Sequence, residues 1–269
     1  MHKDLRSRTS FRAVKGGEMA YEIREMAFAE ILDTAMQLLR DHFVLLVGTS
    51  AVTLVPVQLA LYLLPFLTLK SGAVAIGTVA LMMLVVVPFI RVLQTFLIGE
   101  LYLGHSVAIG DAYRQSLEIF PPMVGTLLLS GLAVLGAFLL LIIPGIFVSL
   151  WFVLITQVMV FERTFGSRAL ARSRELMRGN LLRAIGILLL EVVLSWVLQF
   201  GVQLAVTVLP FGWLQAVASG ITSSIASAFG AAALVVLYFD IRCRKEAFDL
   251  EHLARLVESR NDLAVVPTV

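Results

Sequence analysis

The sequence predicts an all-α, polytopic integral membrane protein with six transmembrane helices arranged as three hairpins, each preceded by an amphipathic interfacial helix. Three observations carry that prediction. Six apolar stretches reach bilayer-crossing length, the basic residues fall almost wholly in alternate connections, and amphipathic segments stand before the first, third and fifth stretch. A helix needs ~20 apolar residues to cross the hydrocarbon core. The stretches run over residues 43 to 68, 73 to 90, 123 to 143, 146 to 161, 181 to 208 and 213 to 239. Hydrophobic residues make up 59% of the 269 and charged residues 15%, so the surplus apolar surface must meet lipid. The expected organisation is a cytoplasmic N-terminal segment over 1–42, a transmembrane domain over 43–239 and a cytoplasmic tail over 240–269.

Taken in order, the first amphipathic segment places Phe28, Ile31, Leu32, Ala35, Met36 and Leu39 on one face and Glu30, Asp33, Gln37 and Arg40 on the other. Spans 1 and 2 follow, with Pro56 and Pro88 as kink sites, and Arg91 ends the apolar run of span 2 within snorkelling reach of the headgroups. Before span 3, Asp111 is a candidate cap for a helix whose Tyr113, Leu117 and Phe120 share a side. Residues 122 to 161 would reach about 60 Å as one helix, twice the hydrocarbon thickness, so a turn at Pro144-Gly145 divides them into spans 3 and 4. Ser167 is a candidate cap for a third amphipathic helix presenting Ala169, Leu170, Ser173, Leu176 and Met177. Such segments fit helices lying in the interface and turning into the membrane.

Orientation follows from Lys and Arg, which cytoplasmic loops retain in excess. They gather in the N-terminal segment, in the connection from Arg163 to Arg183 and in the tail after Asp240, whereas the opposite side carries only Lys70. Both termini are therefore expected in the cytoplasm, in a bacterial inner membrane. The net charge of +2 is too small to point to nucleic acid. A single cysteine, Cys243, excludes an internal disulfide, and four scattered histidines give no metal-ligand spacing, so no cofactor or metal is expected.

Glu191 is the outlier among the spans, about ten residues into span 5, where a lipid-facing carboxylate would cost several kcal/mol. Ser195, Gln199 and Gln203 follow at intervals of four, so a polar stripe should face the bundle interior, with Arg91 as a candidate partner. In span 6, Ser219, Ser223, Ser227 and Gly230 form a small-residue face suited to close helix packing or self-association. At the cytoplasmic mouth, Glu162, Arg172 and Ser173 on one connection face Asp240, Arg242, Arg244 and Glu246 after span 6, a cluster able to lock the amphipathic collar to the bundle.

Several stretches resemble a known family. Pro144-Gly145-Ile146, Phe161-Glu162, Gly166, Ala169-Leu170, Arg172-Ser173, Leu176 and Gly179 are similar to the membrane domain of glycerophosphoryl diester phosphodiesterases and its stand-alone relatives. Leu103-Gly104-His105-Ser106-Val107 and Tyr238-Phe239-Asp240-Ile241-Arg242 extend that resemblance. It implies membrane architecture; the family's hydrolytic barrel, with its acidic metal ligands and His pair, has no counterpart among these residues. The expected function is a non-catalytic membrane module that organises lipids or partner proteins. The alternative is a small transporter or lipid-handling protein using the stripe around Glu191, and an open polar cavity at Glu191 would favour it.

Overall fold

The computed structural model describes residues 25–67, 77, 79–80, 82–104, 108–206 and 212–246, and every regular element among them is helical. The elements are α1 (Phe28–Asp41), α2 (Phe43–Leu67), α3 (Val87–Tyr102), α4 (Ile109–Leu140), α5 (Ile142–Trp151), α6 (Ile155–Phe161), α7 (Ser167–Met177), α8 (Leu181–Val206) and α9 (Gly212–Glu246). Six stretches are long and apolar enough to cross a membrane: Phe43–Leu63, Leu84–Tyr102, Ile109–Leu140, Ile142–Phe161, Leu181–Ala205 and Gly212–Glu246. The segments before Glu25 and after Glu246 lie outside the described residues.

α1 forms because Ile31, Ala35, Leu38 and Leu39 recur at helical spacing and bury together, while the Glu30 carboxylate accepts the otherwise unmet Ala27 N–H at 2.8 Å. Phe28 and Met36, expected on the apolar face, are exposed. His42 alone separates α1 from α2.

The second apolar helix ends later than expected. It does not stop at Arg91; it runs on to Tyr102, and Val92 to Gly99 are buried all round. A π-helical turn over Met82–Val86 runs directly into α3, whose first turn carries Pro88. α4 is also longer than expected: the amphipathic segment and span 3 form one 32-residue helix through Pro121 and Pro122. Its buried face is Ala112, Ser116, Ile119, Met123, Thr126 and Ser130, whereas Leu117 is exposed. Asp111 stands in its first turn, not at its cap, which is Ala108.

Chain reversal between α4 and α5 occurs at Leu141, in an extended conformation, rather than at Pro144-Gly145. Pro144 belongs to the first turn of α5, and Gly145 lets that turn close on α4, since a Cβ there would stand 2.4 Å from the Phe138 ring. A break over Phe152 to Leu154 then separates α5 from α6. That break frees the Trp151 carbonyl, and the Ser173 hydroxyl of α7 donates to it at 2.7 Å. α7 begins after Gly166, whose φ of 66° requires glycine, so Ser167 is its first residue and not its cap.

α9 is the central element. Most of it is buried, and it packs against α1, α2, α3 and α8. α2 leans chiefly on α9 and only lightly on α3, so the first two apolar helices make a loose pair; α4 with α5 and α8 with α9 are tight ones. Gly220 permits the closest contact, facing the Val55 backbone, where a Cβ would meet Cα at 2.8 Å.

Candidate functional site

Three helices, α3, α8 and α9, bring Arg91, Glu191, Ser195 and Gln199 of the predicted stripe around one space, whereas Gln203, also expected to face inward, is exposed. The Arg91 Nη2 donates to Glu191 Oε1 at 2.7 Å. Arg91 lies eleven residues before the end of α3 at Tyr102 and Glu191 ten from the start of α8, so neither stands at a described helix end. Gly230 of α9 makes room for the carboxylate: a Cβ there would lie 2.3 Å from Glu191 Cδ. Glu191 keeps 14% of its side-chain surface accessible and Arg91 35%, so both charges face open space as well as each other.

That space is two cavities, both lined by Arg91 and Glu191. One, of about 140 Å³, is completed by Ser195, Gln199, Thr222, Ser223, Ala226 and Ser227. The other, of about 210 Å³, is walled in part by Thr95, Thr156, Gln157 and Leu188. Chain direction sets their order. Along α8 the first cavity uses residues after Glu191 and the second a residue before it, and along the antiparallel α9 the order is reversed, with Thr222 to Ser227 in the first and Ala231 and Leu234 in the second. The ion pair therefore stands between two spaces stacked along the helix axes, the first lined largely by polar side chains and the second mixed, with Val153, Leu188, Ala231 and Leu234 beside Thr95, Thr156 and Gln157.

The rest of the stripe is placed as follows. Gln199 Nε2 donates to Ser223 Oγ at 2.9 Å and approaches the Ser219 carbonyl at 3.4 Å; Gln203 accepts from Gln215 at 2.6 Å. Of the Ser219, Ser223, Ser227 and Gly230 face, Gly230 is buried against Glu191, while the three serines are half-buried. Ser227 donates to Gln94 Oε1 at 2.9 Å, and the buried Gln94 donates through Nε2 to the buried Ser50 Oγ at 2.6 Å, tying α9, α3 and α2 together.

At the opposite end of α9 the expected mouth cluster is two networks. In the first, Arg172 pairs with Glu162 at 2.8 Å and with Glu246, Arg242 holds Glu246 at 2.8 Å, and the Tyr238 hydroxyl donates to Glu162 at 2.9 Å. Burial opposes the charge on Arg172, but hydrogen bonds from it to Glu162 and Glu246 outweigh that and hold its proton more firmly than usual. In the second, Asp240 has no accessible side-chain surface and accepts from Met26 N–H at 2.7 Å, Arg183 at 2.7 Å and Arg244 at 3.1 Å. Ser173 belongs to neither, being bound to Trp151. Together the networks fasten α1, α7, α8 and α9 to one another, as the locking reading expects.

Gln94, Thr95 and Gln157 were not singled out from sequence, and Arg183 and Tyr238 entered there only through the charge distribution and the family resemblance. Gln94 follows Arg91 by one helical turn, a spacing visible once the helix is carried on to Tyr102. Among the described residues no group of His, Cys, Asp and Glu is arranged to hold a metal ion. No family model matches the chain, and searches of curated proteins and of solved structures return no similar protein.

Proposed function

We propose that this chain is a multi-pass protein of the bacterial inner membrane that binds and passes a small polar solute or lipid headgroup at an intramembrane site centred on Arg91 and Glu191. The observation that carries the reading is the ion pair between two cavities. A charged residue facing lipid at that depth would cost several kcal/mol, whereas a polar space offers it water or a ligand. Ionisable groups inside a membrane that face a cavity mark solute and proton paths more often than structural pairs. On this reading the end carrying Arg172, Arg183 and Arg244 faces the cytoplasm, as the positive-inside rule requires. The chain is thereby read as a binding or transport protein.

A second reading, a rigid non-catalytic module that organises lipids or partner proteins, is favoured by the two ion networks at the mouth. It gives no role to the polar space in the interior. The two readings part at Glu191→Gln, which keeps an acceptor for Arg91 and removes the charge. Complementation of a strain lacking the chain, alongside thermal unfolding in detergent, tests them. A handling site predicts a folded variant that fails to complement; full complementation by both Glu191→Gln and Arg91→Gln contradicts it.

A further inference from the structure

Resting on the site reading above, we infer that the ligand is a zwitterion in which a primary ammonium and an anionic group are joined by a short linker. The charge balance of the cavity walls carries the inference. Arg91 and Glu191 sum to zero, and they are the only charged residues lining either cavity among the described residues. Their mutual contact is a single hydrogen bond, Nη2 to Oε1 at 2.7 Å. A guanidinium has five N–H donors and a carboxylate two oxygens, so both groups keep unused capacity directed at open space.

A purely anionic ligand would draw Arg91 away from Glu191 and strand a carboxylate; a purely cationic one would strand the guanidinium. Either exchange leaves an uncompensated charge in a low-dielectric interior. A zwitterion meets both at once, its anionic end on Arg91 and its ammonium on Glu191, with the total charge unchanged. The short linker follows from the 2.7 Å separation of the paired atoms.

Gln157 borders the larger cavity. Its side chain is 2% exposed and its Oε1 has no hydrogen-bond partner, a costly arrangement that an ammonium N–H would relieve. Thr95 and Thr156 add hydroxyls able to serve either end. The cavity, of about 210 Å³, has room for a headgroup-sized zwitterion. The same chemistry occurs in free ω-amino acids and in ethanolamine lipid headgroups.

The test uses the full chain in nanodiscs of phosphatidylglycerol, with β-alanine, ethylamine and propionate as probes in calorimetric titration. The zwitterion should bind at least ten-fold tighter than either half, and N,N,N-trimethylglycine, which has no N–H, should bind more weakly than β-alanine. Glu191→Gln should abolish β-alanine binding, and Gln157→Leu should weaken it several-fold while the unfolding midpoint stays near wild type. A lipid arm separates the sources: retention of phosphatidylethanolamine by native mass spectrometry, lost in Glu191→Gln, assigns the headgroup, and β-alanine binding without lipid retention assigns a free solute. Equal binding of ethylamine or propionate would overturn the zwitterion. So would binding of neither zwitterion, and if Glu191→Gln then still fails to complement, the site itself stands. Complementation by that variant would remove the site as well.

Discussion

Gly230→Ala probes the ion pair without touching either charged residue. The new methyl would stand 2.3 Å from Glu191 Cδ and 2.5 and 2.6 Å from its oxygens, so the carboxylate must swing off Arg91. Exposed ion pairs contribute about 0 to 1 kcal/mol, and breaking a buried one costs about 3 to 5 kcal/mol. With Arg91 35% and Glu191 14% accessible, this pair falls between them, at about 1 to 3 kcal/mol. Against that loss, alanine in a helix interior is favoured over glycine by about 1 kcal/mol. In wild type the substitution should therefore be neutral to destabilising. In a Glu191→Ala background, where nothing occupies the space over position 230, it should become stabilising by up to about 1 kcal/mol. Equilibrium unfolding in mixed micelles measures both legs, and the coupling between them is the quantity of interest. Equal effects in the two backgrounds would refute the placement of the carboxylate over Gly230.

Two further outcomes follow from the hydrogen-bond geometry. Gln94→Leu should lower stability by about 1 to 3 kcal/mol, because the buried Ser50 loses its donor and the half-buried Ser227 its acceptor; a loss that persists when Ser50 and Ser227 are both alanine would point to packing instead of the polar link. Double-mutant cycles should give non-additive unfolding for Arg172 with Glu162 and with Glu246, and additive unfolding for Arg172 with Asp240, since those residues sit in separate networks.

The general architecture was legible because bilayer-length apolar runs and one-sided arginine are strong signals. Helix ends were less so, and each shift has a physical cause. Hydropathy breaks at Arg91, Gln94 and Thr95, the last two fully buried in α3, so the apolar run stops where the most enclosed part of the helix begins. The apolar run of span 3 begins at residue 123, but the helix already runs from Ile109 through Pro121 and Pro122, with the Thr126 hydroxyl bonding the Pro122 carbonyl at 2.9 Å. The turn was placed at Pro144 because proline often ends helices, yet in the first turn it opens one. For the site, the four-residue spacing of Glu191, Ser195 and Gln199 was enough to predict a shared inward face. What spacing along one helix cannot supply is the partner across the interface: Arg91, Gln94 and Gln157 meet that stripe only through the packing of α3, α6 and α9.

The central claim, that the ion pair divides two hydrated spaces, is tested most directly by thiol accessibility. With Cys243 replaced by serine, single cysteines at Thr222, in the wall of one cavity, and at Thr156, in the wall of the other, are compared with one at Val193 on the exposed face of α8. An impermeant reagent should modify the Thr222 position from outside the cell and the Thr156 position in inside-out vesicles, both at least ten-fold faster than Val193. Rates at both positions no faster than at Val193 would mean a dry interior, and the intramembrane handling site would give way to the rigid module.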